Sequence, residues 1–373
     1  MSQQNDSSLT TPQDVYERVR LANVHPAAWS NPTPADCYQL LIVGAGPAGL
    51  AAAETAASLG AKVALIECHL LGGDCLNTGC VPSKSIIRTS RLYAEMRDAN
   101  RYGAQIPGDI RVDFAAVMER MRRIRAHLSG GDSVRRLIAI GVDVFFGEVR
   151  FAGSDSLTVN GEKLRFRKAL VATGARPDVP LIPGLAEAGY LTNENVFDLT
   201  ELPRRLLVIG GGPLGCELAQ AFCRFGVQTT IVQDMPLFLC KEERDAAQIL
   251  SDAFARDGIE VRLNTNAVGV RVENGQKLVD LVSDDYSNTI AVDAILTGIG
   301  HLPNVQGLNL EATGGYDSLH FVPWRRPVLA SKLIGASYGA ALLTAQLEND
   351  ISIDDGGPSA GVCTPNHKGA ARL

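Results

Sequence analysis

Gln39-Leu-Leu-Ile-Val43 runs straight into Gly44-Ala-Gly46-Pro47-Ala48-Gly49, followed by an alanine-rich stretch from Leu50 to Leu59, a turn at Gly60 and a second apolar run from Lys62 to Glu67. Short apolar runs bounded by glycine read as buried strands and the alanine-rich stretch as a helix, giving a βαβ unit. In that setting the glycines divide the work. Gly44 permits the tight turn, Gly46 lets a pyrophosphate approach the backbone, and Gly49 lets the helix close on the strand. Pro47 and Ala48 complete the binding turn, and Glu67, eighteen residues after Gly49, is placed to bond a ribose hydroxyl.

The pattern returns from Arg205. Leu206 to Ile209 reads as a strand, Gly210-Gly-Gly212-Pro213-Leu-Gly215 as the turn, Cys216 to Phe225 as a helix and Gln228 to Gln233 as the next strand. Gln233 takes the place of Glu67, Asp234 follows it, and no arginine stands nearby to hold a 2′-phosphate, which leans the reading toward NAD rather than NADP. Two such units call for two dinucleotides, most simply a flavin that stays and a nicotinamide that visits. The expected fold is α/β, with two Rossmann-like dinucleotide-binding domains, three-layer sheets, a β-meander and an atypical C-terminal tail.

Between the units lies Gly72-Gly73-Asp74-Cys75-Leu-Asn-Thr-Gly-Cys80-Val-Pro-Ser-Lys84, followed by a helical run from near Ser83. Cys75 and Cys80 can close a disulfide if one turn of helix joins their sulfurs, although spacing alone does not prove it. A thiol at a helix N-terminus has its thiolate favoured by the helix dipole. The alternatives are two structural cysteines or half a zinc site. Structural zinc usually wants four ligands in two short-spaced pairs, and no second pair is present, so no metal is expected.

This string resembles the redox-active segment of the flavin-dependent pyridine nucleotide-disulfide oxidoreductases, a class that includes mercuric reductase and dihydrolipoamide dehydrogenase. The resemblance implies FAD at the first unit and NAD(P)H at the second. Cys80 would be the charge-transfer thiol against the flavin, and Cys75 the interchange thiol that meets substrate. Lys84 would sit near the flavin and pair with Glu217. It further implies that Gly73, Asp74 and the strand end Ala169-Leu-Val-Ala-Thr173-Gly174 lie along the dinucleotide. The run from Ala291 through Gly298 to Asn304 would return the chain to the flavin domain, with His301 in place of an arginine and a weakened local anchor. The implied reaction is hydride transfer from nicotinamide to FAD, then reduction of the Cys75–Cys80 disulfide, then of a disulfide or a soft metal such as mercuric ion.

Of the 373 residues, a net charge of −6 argues against a nucleic-acid footprint. No apolar run approaches the roughly 20 residues that span a bilayer. Met1 to Thr11 lacks the basic-then-apolar pattern of a secretory signal, so a cytoplasmic location is expected. Of the eight cysteines, Cys216, Cys223 and Cys240 read as small buried hydrophobes. Expected domains are an N-terminal extension (1–36), an FAD domain (37–178), an NAD(P) domain (179–300) and a remnant with tail (301–373). The extension reads as a helical piece from Asp14 to Leu21 and a surface linker marked by Pro26, Pro32 and Pro34. Residues 84–140 read as helices with solvated charged faces, including Phe114 to Leu128. Val142 to Phe151, Ser156 to Val159 and Lys163 to Phe166 read as strands, with a hairpin turn at Asn160-Gly161.

The resemblance covers roughly Cys37 to Asp317. Beyond it the family would supply a glycine-aspartate element for the flavin and an interface domain whose His-Glu pair serves the partner subunit. Ser318 to Leu373 carries neither, and Trp324, His320, His367 and Cys363 fit no family pattern. A truncation or reading-frame change after Asp317 is expected, with the family's homodimer lacking its interface and turnover of a small-molecule or thiol/disulfide substrate impaired. Two other readings stay open: a catalytically dead flavoprotein fragment, and an NADH diaphorase or oxidase that needs no interchange thiol.

Overall fold

A computed structural model of the chain describes residues 14–313 apart from 107 and 285; the readings of Met1 to Thr11 and of the tail, with His320, Trp324, Cys363 and His367, lie outside them. Helix α1 (Val15–Val24) comes first, capped by the Asp14 side chain, which accepts the Glu17 N–H. Strand β1 (Leu40–Val43), helix α2 (Pro47–Ser58) and strand β2 (Val63–Glu67) form the first βαβ unit. Helix α2 starts earlier than its alanines suggest because a proline in the first turn forfeits no intrahelical bond.

Short helix α3 (Gly73–Asn77) carries Cys75, and helix α4 (Cys80–Arg97) begins at Cys80 itself rather than near Ser83. Helices α5 (Phe114–Leu128) and α6 (Val134–Ala139) lead to β3 (Val142–Phe146). The meander β4 (Val149–Gly153), β5 (Ser156–Val159) and β6 (Glu162–Arg165) follows, and Asn160 and Gly161 both take positive φ in its two-residue turn. The run read as one strand from Val142 to Phe151 is therefore two strands in different sheets, parted at Gly147. Strand β7 (Ala169–Val171) completes a parallel sheet of order β3-β2-β1-β7.

Strand β8 (Ala175–Pro177) and helix α7 (Leu185–Ala188) lead to the second unit. It is built from β9 (Arg205–Ile209), α8 (Pro213–Arg224), β10 (Gln228–Val232), α9 (Arg244–Asp257) and β11 (Glu260–Arg262). Antiparallel β12 (Asn266–Glu273), β13 (Gln276–Val282) and β14 (Ser287–Val292) stand where the first unit has its meander. Strand β15 (Ala294–Thr297) closes a second parallel sheet of order β11-β10-β9-β15, and β16 (His301–Pro303) pairs back onto β8.

Both units have three layers because each central strand buries both faces. In the first sheet Ile42, Val63, Leu65, Val142 and Val144 face the helices, while Leu41, Val43, Ala64, Ile66 and Phe145 face the meander. The second sheet splits likewise: Leu206, Val208 and Ile231 on one side, Leu207, Ile209 and Val232 on the other. The units also share a core. Ile86 of α4 and Phe114, Val117, Met118 and Met121 of α5 belong to one cluster with Val208, Phe222 and Phe225, the Phe114 ring lying 6.3 Å from that of Phe222. This packing of α4 on α8 aligns the thiol helix with the helix that leaves the second glycine turn.

The N-terminal segment packs on the body: Glu17, Arg20 and Val24 of α1 are buried, and the proline-marked stretch, at the surface as expected, is tied down by Asn31, which bonds both the N–H and the carbonyl of Phe146. One expectation is corrected here: the charged face of α5 is not all solvated. Arg122 and Arg125 are buried because carboxylates of α1 and its cap, Asp14 and Glu17, reach them.

Candidate active site

The two glycine turns are crowded at the same places and bare at the same place. A Cβ on Gly44 would lie 2.3 Å from the Ala172 carbonyl oxygen and one on Gly49 1.8 Å from that of Gly44. In the second turn a Cβ on Gly210 would lie 2.6 Å from the Gly298 oxygen and one on Gly215 2.3 Å from that of Gly210. Gly46 and Gly212 differ from these: the nearest atoms to a Cβ there are 3.8 and 3.5 Å away, ordinary contact distances. Packing does not require glycine at these two positions, so the bare backbone they leave suits the approach of a ligand.

The thiol segment is pressed onto the first turn. A Cβ on Gly73 would come within 2.6 Å of the Gly46 Cα, and the Gly72 N–H donates to the Ala45 carbonyl at 2.8 Å. From there α3 presents Cys75 to Cys80 at the head of α4. Both are thiols in this structure. The Cys75 thiol donates a hydrogen bond to the Cys80 sulfur, and this bond, aided by the charge of Lys84, lowers Cys80 to about 7 against burial and the charge of Glu217. The same bond, with burial and the charges of Cys80 and Asp132, pushes Cys75 well above the ordinary thiol range. The pair is therefore divided: Cys80 ionises around neutral pH while Cys75 stays a thiol.

One turn along α4, Lys84 crosses to the second unit. Its Nζ lies 2.9 and 2.8 Å from the two carboxylate oxygens of Glu217, just past the first turn of α8. Glu217 is 4% exposed, and burial pushes its carboxyl up while Lys84 opposes the shift. The two residues thus meet as paired from the sequence.

The remaining expected residues surround the two turns. Glu67 folds back on the first: its Oε2 accepts the Ala45 N–H at 2.8 Å and its Oε1 the His69 N–H at 2.9 Å. Ala172 and Thr173 pass beside Gly44, with Gly174 next in the chain, and Gly298 passes beside Gly210, where its N–H donates to the Ile209 carbonyl. Gln233 lies over the second turn, with its buried Oε1 unpartnered and 2.1 Å from where a Cβ of Gly211 would stand. Asp234 is exposed. Asp74 is raised by burial and steadied by His301 and by a Thr78 hydroxyl 3.5 Å away.

Sequence reasoning gave no role to Asn304, Arg176 or Asn77. Asn304 donates from its side chain to the Thr173 carbonyl at 3.1 Å and from its backbone to that of Gly174 at 3.0 Å, while Arg176 grips Gln306 at 2.9 Å. These contacts fasten β16 where the family arginine was missed. No motif marks them, since their partners lie more than a hundred residues away in the chain. Among the described residues no group of three or more His, Cys, Asp or Glu could hold a metal ion, and no helix is long and apolar enough to cross a membrane.

Comparison with known proteins agrees with this geometry. Residues 38–317 match the family described as pyridine nucleotide-disulphide oxidoreductase. A mercuric reductase of Lysinibacillus sphaericus is 32% identical over 279 residues, which are 75% of this chain and 51% of that protein. A dihydrolipoyl dehydrogenase of Acholeplasma laidlawii is 33% identical over 277 residues, 73% of this chain and 80% of its own. Among solved structures, the HOCl-induced flavoprotein disulfide reductase RclA from Escherichia coli aligns with a TM-score of 0.64 at 30% identity, over 74% of this chain and 60% of RclA. The chain spans about half the length of that mercuric reductase and three fifths of RclA. With two like-built glycine turns, a paired thiol segment pressed onto the first and a family match over both, the chain belongs to the pyridine nucleotide-disulphide oxidoreductase family.

Proposed function

We propose that this chain is an NAD(P)H- and FAD-dependent reductase whose Cys75–Cys80 pair, once a dithiol, delivers two electrons to a disulfide or a soft metal ion such as mercuric ion. The first turn fits FAD: Gly46 is bare on its outer side, Gly73 lies against it, and Glu67, Asp74, Thr173 and Gly174 stand around it. The second fits the nicotinamide dinucleotide through Gly212, Pro213 and the unpartnered Gln233 Oε1, with NADH favoured over NADPH. When bound, FAD supplies hydride acceptance and the two-electron reduction of the disulfide.

The chain's own residues carry the later steps. Cys75 attacks one sulfur of the substrate disulfide, that S–S bond breaks, and a Cys75–substrate bond forms. The proton leaving Cys75 goes to the Cys80 sulfur, to which it is already hydrogen-bonded. The departing substrate thiolate takes a proton from solvent. Cys80 then gives its proton to solvent and attacks Cys75; the second substrate sulfur leaves as a thiolate that takes a proton from solvent, and the Cys75–Cys80 disulfide is restored. Lys84 keeps positive charge near the Cys80 thiolate, and Glu217 fixes Lys84 in place. A homodimer is the family expectation, although Ser318 to Leu373 does not carry the family's interface pattern, and light scattering of the purified protein checks it.

The observation that carries the reading is Cys80, paired with Cys75, at the head of a helix whose next turn is ion-paired to the second unit. The test is an anaerobic titration of purified protein with NADH and with NADPH. A yellow protein that develops a long-wavelength thiolate-to-flavin band, at lower NADH than NADPH, is expected. Colourless protein defeats the FAD assignment, and bleaching without the band points to a diaphorase.

A further inference from the structure

Four polar side chains between α1 and the thiol segment are buried and take no part in the steps above. Glu17, Arg20 and Arg125 are 3%, 7% and 3% exposed, and Asn77 is 6% exposed. Glu17 stands between the two guanidiniums: its Oε2 accepts from Arg20 Nε and from Arg125 Nη2, each at 3.0 Å, and its Oε1 from Arg20 Nη2. Both arginines turn further donors on Asn77, Arg20 toward its side-chain oxygen and Arg125 toward its backbone carbonyl at 2.9 Å. The Asn77 amide donates in turn to the carbonyls of Leu71 and Gly73 at 3.0 and 2.9 Å. Asn77 is the last residue of α3, two past Cys75 and three before Cys80.

A buried charged cluster stabilises a fold no better than apolar residues of the same volume would, so its presence asks for another reason. Apolar contacts already seat α1, whose Val24 is fully buried in the helix-side core. What the charged cluster adds is direction: every polar side-chain atom of Asn77 is held, part of it by a helix that precedes the first glycine turn. Holding two groups in one geometry raises the effective concentration of each at the other.

We propose that α1 is a brace for the redox pair, Glu17, Arg20 and Arg125 acting as positioning residues that clamp Asn77 so that α3 presents Cys75 to Cys80. The proposal rests on Cys75 and Cys80 being the working pair. None of the brace residues is among the groups that face the sulfurs: Cys80 is faced by Cys75 on α3, Lys84 on its own helix and Glu217 on α8, and Cys75 also by Asp132 before α6. Releasing the brace acts on Cys80 by loosening the bond it receives from Cys75.

The test follows iodoacetamide labelling of Cys80 in the reduced full-length chain, by peptide mass spectrometry, from about pH 5.5 to about pH 9.5. Variants are Glu17→Gln, the double variant Glu17→Gln/Arg20→Gln, and the control Glu273→Gln, which breaks the exposed Glu273–Arg271 pair on β12 of the second unit. Wild type is expected to reach half-maximal labelling near pH 7. Both brace variants should shift the midpoint up by about one pH unit, slowing labelling at neutral pH about five-fold, while the control stays with wild type. Folded brace variants that keep the wild-type profile overturn the proposal. Should Glu17→Gln not fold, the double variant, which removes one of the two buried guanidiniums that Glu17 neutralises, decides by the same criterion. Failure of both to fold also overturns it, since the cluster would then hold the fold rather than the thiols. A wild-type Cys80 that titrates like a free thiol sinks the reading of the pair itself, which keeps the two failures apart.

Discussion

The two glycine turns are built alike and covered differently. In each, two glycines are demanded by the backbone that crowds them and a third is left bare. The bare Gly46 has the thiol segment against it, through Gly73, whereas the bare Gly212 has only the Gly298 carbonyl at 3.5 Å. In the proposed reading a dinucleotide on the first turn would lie under the head of α3, and one on the second would lie more open. The repeated unit would then make two sites, the segment inserted after the first covering the one proposed for the flavin and leaving bare the one proposed for the nicotinamide.

The largest expected effect tests the crowded glycines. Gly49→Ala sets a Cβ 1.8 Å from a carbonyl oxygen that cannot move without opening the turn, and thermal or urea unfolding should show a loss of about 3 kcal/mol or more. Gly215→Ala, at 2.3 Å, should lose somewhat less. Equal and small losses would break the claim that the turns are packing-limited.

The bare glycines should separate the two sites. Gly46→Ala is expected to unfold within about 0.5 kcal/mol of wild type yet to purify with at least about tenfold less flavin, read as visible absorbance per chain. Gly212→Ala should keep its flavin and weaken NADH binding instead. Flavin lost from both, or from neither, would undo the comparison.

Lys84 joins the two units, and Lys84→Met leaves the Glu217 carboxylate buried without its cation. After allowance for the solvent exposure of Lys84 the cost is about 1 kcal/mol at neutral pH. Burial already holds the folded carboxyl above its ordinary value of 4.5, and losing the cation raises it further, so the variant should bind a proton more readily folded than unfolded. Its deficit therefore grows as pH rises above about 4.5 and shrinks below it, which melts taken from acid to neutral pH would reveal. The smallest effect concerns Gln233: Gln233→Ala removes the buried Oε1 and should weaken NADH about five-fold with flavin content unchanged. A titration showing no change would leave nucleotide choice to some other residue.

Both βαβ units, their glycine turns and the thiol pair were legible in the chain. Each rests on local rules, since glycine spacing and apolar runs are decided within about twenty residues. The Lys84–Glu217 contact, 133 positions apart, was expected only through the family resemblance. Residues separated by a hundred positions were not legible. Asn304 beneath Thr173 and Gly174, the break of the Val142–Phe151 run into two sheets, and the burial of Arg125 depend on which surfaces meet after folding. The sequence by itself determined that two dinucleotide turns flank a reactive thiol pair. Only the tertiary structure decided that Cys80 opens α4, that α4 packs on α8, and that α1 reaches the thiol segment. A sequence pattern sets which face of an element is apolar, but which partner covers it is chosen by the packing of the whole chain.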